Sequence, residues 1–176
     1  AFKKTTIGLA LMFIIVIILY LFYALGVFNQ IEITQTNLGT IELTGKTYRG
    51  IPGNESLKET FLMMEELQRS HPESKLHTIY FVEPAGKLDT MEVFVGLESS
   101  WVTDKTDLTE LQFDGSSAIV ANIQAHRFVM PGPNRVKNEI LEFAEENKLA
   151  EPKIFIDQII GPEAVKVIAL DQNSIK

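Results

Sequence analysis

Residues 76–97 read LHTIYFVEPAGKLDTMEVFVGL. Two runs rich in β-branched and aromatic residues, 76–82 and 90–97, flank Glu83-Pro84-Ala85-Gly86, which has the composition of a turn. In the second run Met91, Val93 and Val95 alternate with Glu92, Phe94 and Gly96, the period of two that gives a strand its two faces. The segment predicts a pair of strands joined by a loop.

Upstream, Leu57, Phe61, Met64 and Leu67 share one helical stripe within 55–70. Asn54 follows Pro52-Gly53 as an N-cap, and His71-Pro72 stops the helix, because a residue before proline is pushed out of the helical region. Residues 38–49 are rich in β formers and lack a helical period, so they predict a strand. The order strand–helix–strand–strand then returns. A strand is expected over 117–129, a break at 130–134, a helix over 135–149 with Val136, Ile140, Phe143 and Ala144 as its stripe, and strands over 153–160 and 164–170. Both helix entrances, IPGN and PGPN, end in asparagine. Residues 99–115 are polar and read as a surface loop.

The expected fold class is α+β: a single N-terminal transmembrane helix followed by a duplicated βαββ domain, with antiparallel sheets and two helices on one face. The domain spans 37–171, with copies at 37–98 and 117–171. The face opposite the helices is expected to be concave and to hold a ligand.

The transmembrane helix is read from 7–28, IGLALMFIIVIILYLFYALGVF, which carries no charge. At about 1.5 Å per residue it spans about 33 Å, enough for a hydrocarbon core of about 30 Å. It is longer than the apolar run of a signal peptide, about 7–15 residues, and Ala24-Leu25-Gly26 is a poor cleavage site lying inside it. A short flank, 1–6, precedes it, a linker, 29–36, follows it, and a polar tail, 172–176, closes the chain. Lys3 and Lys4 are the only charges before Asn29. They place the N-terminus in the cytoplasm and the domain outside it, so the protein is expected to be a single-pass membrane protein.

With those two lysines set aside, the net charge moves from −7 to −9. Such a domain is repelled by phosphate backbones, so nucleic acid is not expected as a partner. The expected partners are the lipid bilayer through the N-terminal helix, a membrane protein, and a small apolar ligand. There is no cysteine, hence no disulfide and no thiol chemistry. His71, His77 and His126 show no metal-ligand spacing, Ser116-Ser117 lies in no nucleophile elbow, and the glycines form no phosphate-cradling loop. No catalytic residue, metal or cofactor is expected. The function read from this is a non-enzymatic, membrane-anchored binding module; the alternative is an accessory subunit of a larger membrane complex. Ligand-lining candidates are the strand aromatics Tyr48, Tyr80, Phe94, Phe128 and Phe155, with Glu83 at the turn and Asp157 on the penultimate strand.

The run Thr78-Ile79-Tyr80-Phe81-Val82-Glu83-Pro84, with the returning Val95-Gly96-Leu97, resembles the GyrI-like domain, a duplicated SHS2-type fold that serves bacterial multidrug-responsive regulators as an effector-binding domain. The resemblance covers 37–171. With the apolar helix in front, the chain is also similar to membrane-anchored GyrI-like proteins. The resemblance implies a glutamate on the strand after the second helix, where it meets a cationic ligand or assists hydrolysis. Here that strand reads KIFIDQ, and Asp157 is its only carboxylate. The resemblance thus implies the fold more firmly than the activity. A hydrolase using Glu83 or Asp157 as base is the third reading.

Overall fold

A computed structural model describes residues 2–24, 31–126 and 130–175. Helix α1, Phe2–Ala24, is apolar on every side over Ile7–Ala24, and no part of that span is buried by the rest of the chain. It is long and apolar enough to cross a membrane. The expected continuation to residue 28 falls outside the described residues.

The remainder is α+β. In chain order it runs β1 (Glu32–Thr36), β2 (Thr40–Gly50), α2 (Glu55–Ser70), β3 (Leu76–Val82), β4 (Met91–Glu98), β5 (Thr109–Asp114), β6 (Ala118–Gln124), α3 (Pro133–Glu146), β7 (Ile154–Gly161) and β8 (Ala164–Leu170). The eight strands make one antiparallel sheet in the order β1-β6-β8-β7-β3-β4-β2-β5.

Two of these strands depart from the sequence expectation. The stretch read as linker, 29–36, contains β1, and the loop read over 99–115 contains β5. Both are sheet edges. Edge strands are commonly polar, because a flat apolar edge invites pairing with another chain. EITQT therefore carries little of the alternation that marks a strand with one buried face, whereas TELQFD does alternate, with Leu111 and Phe113 turned to the core, but over only two apolar residues within a polar stretch. The helix entrances also differ from expectation. Asn54 caps α2 by accepting a hydrogen bond from the Ser56 N–H at 2.9 Å. In α3 the capping position is Gly132, and Asn134 already lies inside the helix behind Pro133. Proline suits that first position because its missing N–H would have no intrahelical partner there.

Both helices pack on one face, each over one half of the sheet. Met64 of α2 is fully buried against Leu76, Val93, Val95 and Leu97. Val136, Ile140 and Ala144 of α3 pack on Ile119, Ala121, Val167 and Ala169. On the other face Leu43, Ile79, Phe94, Phe113, Val120, Ile156 and Ile168 form one cluster. Side chains from β5 and β6, near opposite ends of the strand order, meet there because the sheet curls. The concave face is thus filled at its centre, contrary to the expectation of an open ligand site. Among the described residues it keeps a cleft of about 350 Å³ beside His77, Gln158 and Lys166.

Candidate ligand-binding site

A cavity lies on the helix-bearing face, where α2 and α3 leave the middle of the sheet uncovered. Its volume is about 620 Å³, within the range of small-molecule sites. β3 and β7, neighbours at the centre of the strand order, supply the floor. Alternation turns Phe155, Asp157 and Ile159 of β7 to this face, and Thr78 of β3 stands directly across from Asp157. Tyr80 follows two residues along β3. Val165 and Val167 of β8 and Ile123 of β6 extend the apolar floor; Phe61 of α2 and Val136 and Lys137 of α3 form the walls. Glu83 and Pro84, after β3, and Met130 and Pro131, before α3, rim the opening.

Asp157 is the polar centre. Burial pushes its carboxyl up to about 6, with Lys137 pulling the other way and Glu83 adding to the rise. Among the described residues no donor is hydrogen-bonded to its carboxylate. Burial also raises the Tyr80 phenol above its ordinary value, with help from the charges of Asp157 and Glu83. Lys137 pairs with Glu83, and its Nζ lies 5.1 Å from the centroid of the Phe155 ring. An apolar chamber is thus closed at one side by two carboxylates, a phenol and an ammonium.

Of the candidate residues read from sequence, Tyr80, Glu83, Phe155 and Asp157 line this one cavity. Tyr48 and Phe94 do not. Tyr48 is buried beneath α2, its hydroxyl donating to the Ile51 carbonyl at 2.8 Å. Phe94 is fully buried on the concave face. Phe128 lies outside the described residues. His77 is buried and satisfied on both nitrogens: Nδ1 lies 2.9 Å from the Lys75 carbonyl oxygen and Nε2 2.9 Å from the Gln158 amide nitrogen. That pairing makes Nδ1 the donor to the carbonyl and leaves Nε2 to accept from the amide. Burial lowers its pKa, which fits the neutral ring this requires. Trp101 sits in a 3₁₀ turn with its ring centroid 5.8 Å from that of His71.

Sequence reasoning missed Lys137, which it did not single out. A signal was present. α3 has no acidic residue in its first turn and opens with Arg135 and Lys137, against the preference set by the helix dipole. Arg135 finds Glu139 one turn on. Lys137 has Pro133, Asn134, Ile140 and Leu141 at the helical neighbour positions, so its partner has to come from elsewhere in the fold.

No family model matches the sequence, and no curated protein is similar to it at the level of sequence. Solved structures are similar in fold. A hydrolase from Listeria innocua superposes with a TM-score of 0.55 at 8% identity, covering 82% of this chain and 92% of its own. An uncharacterized conserved protein from Listeria innocua gives 0.53 at 10% identity, covering 79% and 91%. EcmrR, solved as a complex with DNA, gives 0.56 at 8% identity; the match takes in 79% of this chain but only 56% of EcmrR. The last finding corrects the partner set drawn from sequence, which excluded nucleic acid. This fold occurs in a protein solved with DNA, so the acidic balance of one domain does not decide that question.

Proposed function

We propose that the protein is a binding module of the GyrI-like type that takes a small amphipathic molecule into the cavity between α2 and α3. The ligand has an apolar body for the floor and a cationic or hydrogen-bond-donating head for Asp157. The protein holds this ligand without converting it, and α1 ties the module to a membrane. The flank bearing Lys3 and Lys4 favours a cytoplasmic N-terminus. Duplication of a βαββ unit is supported by the strand order: exchanging β1–β4 with β5–β8 returns the same order read backwards.

One observation carries the functional reading. A largely apolar cavity of about 620 Å³ contains a partly buried carboxylate to which, among the described residues, no donor is hydrogen-bonded. A carboxylate so placed is costly until a proton, a donor or a cation compensates it. To test the reading, the full chain in neutral detergent is titrated with a series of lipophilic monocations. Asp157→Asn is expected to weaken binding by about ten- to a hundredfold, the scale of a hydrogen bond to a charged group. Equal binding by both chains would rule out Asp157 as the recognition group.

Hydrolysis at the same carboxylate is a second reading, favoured by a fold neighbour that is a hydrolase and by a carboxyl near 6, suited to general-base work. Turnover of an activated ester that disappears in Asp157→Asn would establish it, and a bound but unchanged ester would exclude it.

A further inference from the structure

We infer that Lys137 is a built-in occupant of the cavity's cation position and sets its selectivity: a positively charged ligand head has to displace the lysine ammonium, whereas an uncharged one does not. The inference rests on the binding reading above and says which residue opposes that binding.

Lys137 engages the groups by which such a pocket would recognise a ligand cation. Its ammonium lies over the Phe155 ring and pairs with Glu83 at the rim. It is also close enough to Asp157 to favour that carboxylate's charged form. An aromatic face and one carboxylate, Glu83, are therefore already serving a cation that the protein supplies, and the second carboxylate, Asp157, feels its charge without pairing with it. The helix does not hold this lysine in place, since its neighbours one turn away include no acid. What holds it is the cavity. The hold is also weak enough to be broken. The side chain is 27% exposed, and its ammonium ends a flexible four-carbon stem that can swing towards water while its methylenes stay on the wall. A half-exposed ion pair and one cation–π contact together oppose displacement by about tenfold in affinity. The site holds two carboxylates against one ammonium, so an entering monocation takes Lys137's place without leaving the pocket positively charged.

The test uses the full chain in neutral detergent and two probes of the same shape: (2-naphthylmethyl)trimethylammonium and its uncharged carbon isostere, 2-neopentylnaphthalene. Calorimetric titration of wild type and Lys137→Met is expected to show the cation binding about tenfold tighter to the variant, the neutral probe unchanged, and Lys137→Arg returning the cation to wild-type affinity. Unchanged or weaker cation binding by Lys137→Met would overturn the inference. So would equal tightening of both probes, which would mean that the substitution had only made room. Asp157→Asn separates the two ideas: if it weakens the cation while Lys137→Met has no effect, the pocket stands and the role of Lys137 falls. If no chain binds either probe, the pocket reading fails and this inference with it.

Discussion

Asp157 stands on β7 between Phe155 and Ile159, and the energetics of the cavity turn on its ionisation. Its native pKa of about 6 lies above the unfolded value, roughly 3.9. Between the two the native chain binds more protons than the unfolded one, so stability falls as pH rises through that window. The loss is complete above about 6 and has an upper bound of about 3 kcal/mol for a shift of about two units. Asparagine removes it. In urea titrations Asp157→Asn is expected to match wild type near pH 4 and to be the more stable chain at pH 7. A constant difference between the two chains across that range would rule out burial of this carboxylate as its source. Ligand affinity runs the opposite way. A cation needs the ionised carboxylate, so its binding should weaken as pH falls through about 6, and Asp157→Asn should flatten that profile.

At the scale of elements, the curl of the sheet places constraints of its own. Gly45 of β2 and Gly96 of β4 are register partners. A Cβ on Gly45 would lie 2.1 Å from the Val95 carbonyl oxygen and 2.4 Å from the Gly96 Cα, both backbone atoms that cannot step aside. Gly45→Ala is expected to cost about 3 kcal/mol, the upper range of overpacking, read as a lowered urea midpoint. A midpoint like that of wild type would show that the two strands can separate. Asn54→Ala should cost about 1 kcal/mol, the usual value of a lost cap, whereas Asn134→Ala removes no cap, because α3 begins at Pro133. The six inner strands and both domain helices were legible in the sequence, since 3.6- and 2-residue periods record a single buried face. β1 and β5 were not: β1 has little alternation of its own, and the two alternating apolar residues of β5, Leu111 and Phe113, lie in a polar, aspartate-rich stretch that reads as loop. Asn134 was misjudged for a different reason. A cap is defined by backbone geometry, and Pro-Gly-Pro-Asn lets the helix begin at Pro133, two residues before the start that a cap at Asn134 implies.

At the scale of the whole molecule the cavity lies where the two halves of the sheet meet. Thr78, Asp157 and Lys137 are far apart in the chain and converge only when β3 pairs with β7 and α3 is laid beside them. Tyr80, Glu83, Phe155 and Asp157 could be named from their residue types; that they share one chamber on the helix side depends on that central pairing. The position of α1 adds a constraint on where the chamber works. Residues 25–31 separate Ala24 from β1, and a chain of that length reaches at most about 25 Å. If α1 crosses a bilayer, the sheet is held within that distance of the surface, on the side away from Lys3 and Lys4. The sequence contains no cysteine, so single cysteines report this directly. Leu88, 83% exposed in the loop between β3 and β4, and Lys3, in the N-terminal flank, are the two positions to compare. In intact cells a membrane-impermeant maleimide should label Leu88→Cys, and it should label Lys3→Cys only after permeabilisation. The reverse pattern would invert the orientation. Labelling of both before permeabilisation would mean that α1 does not span the bilayer, and the cavity would then have no fixed relation to a membrane surface.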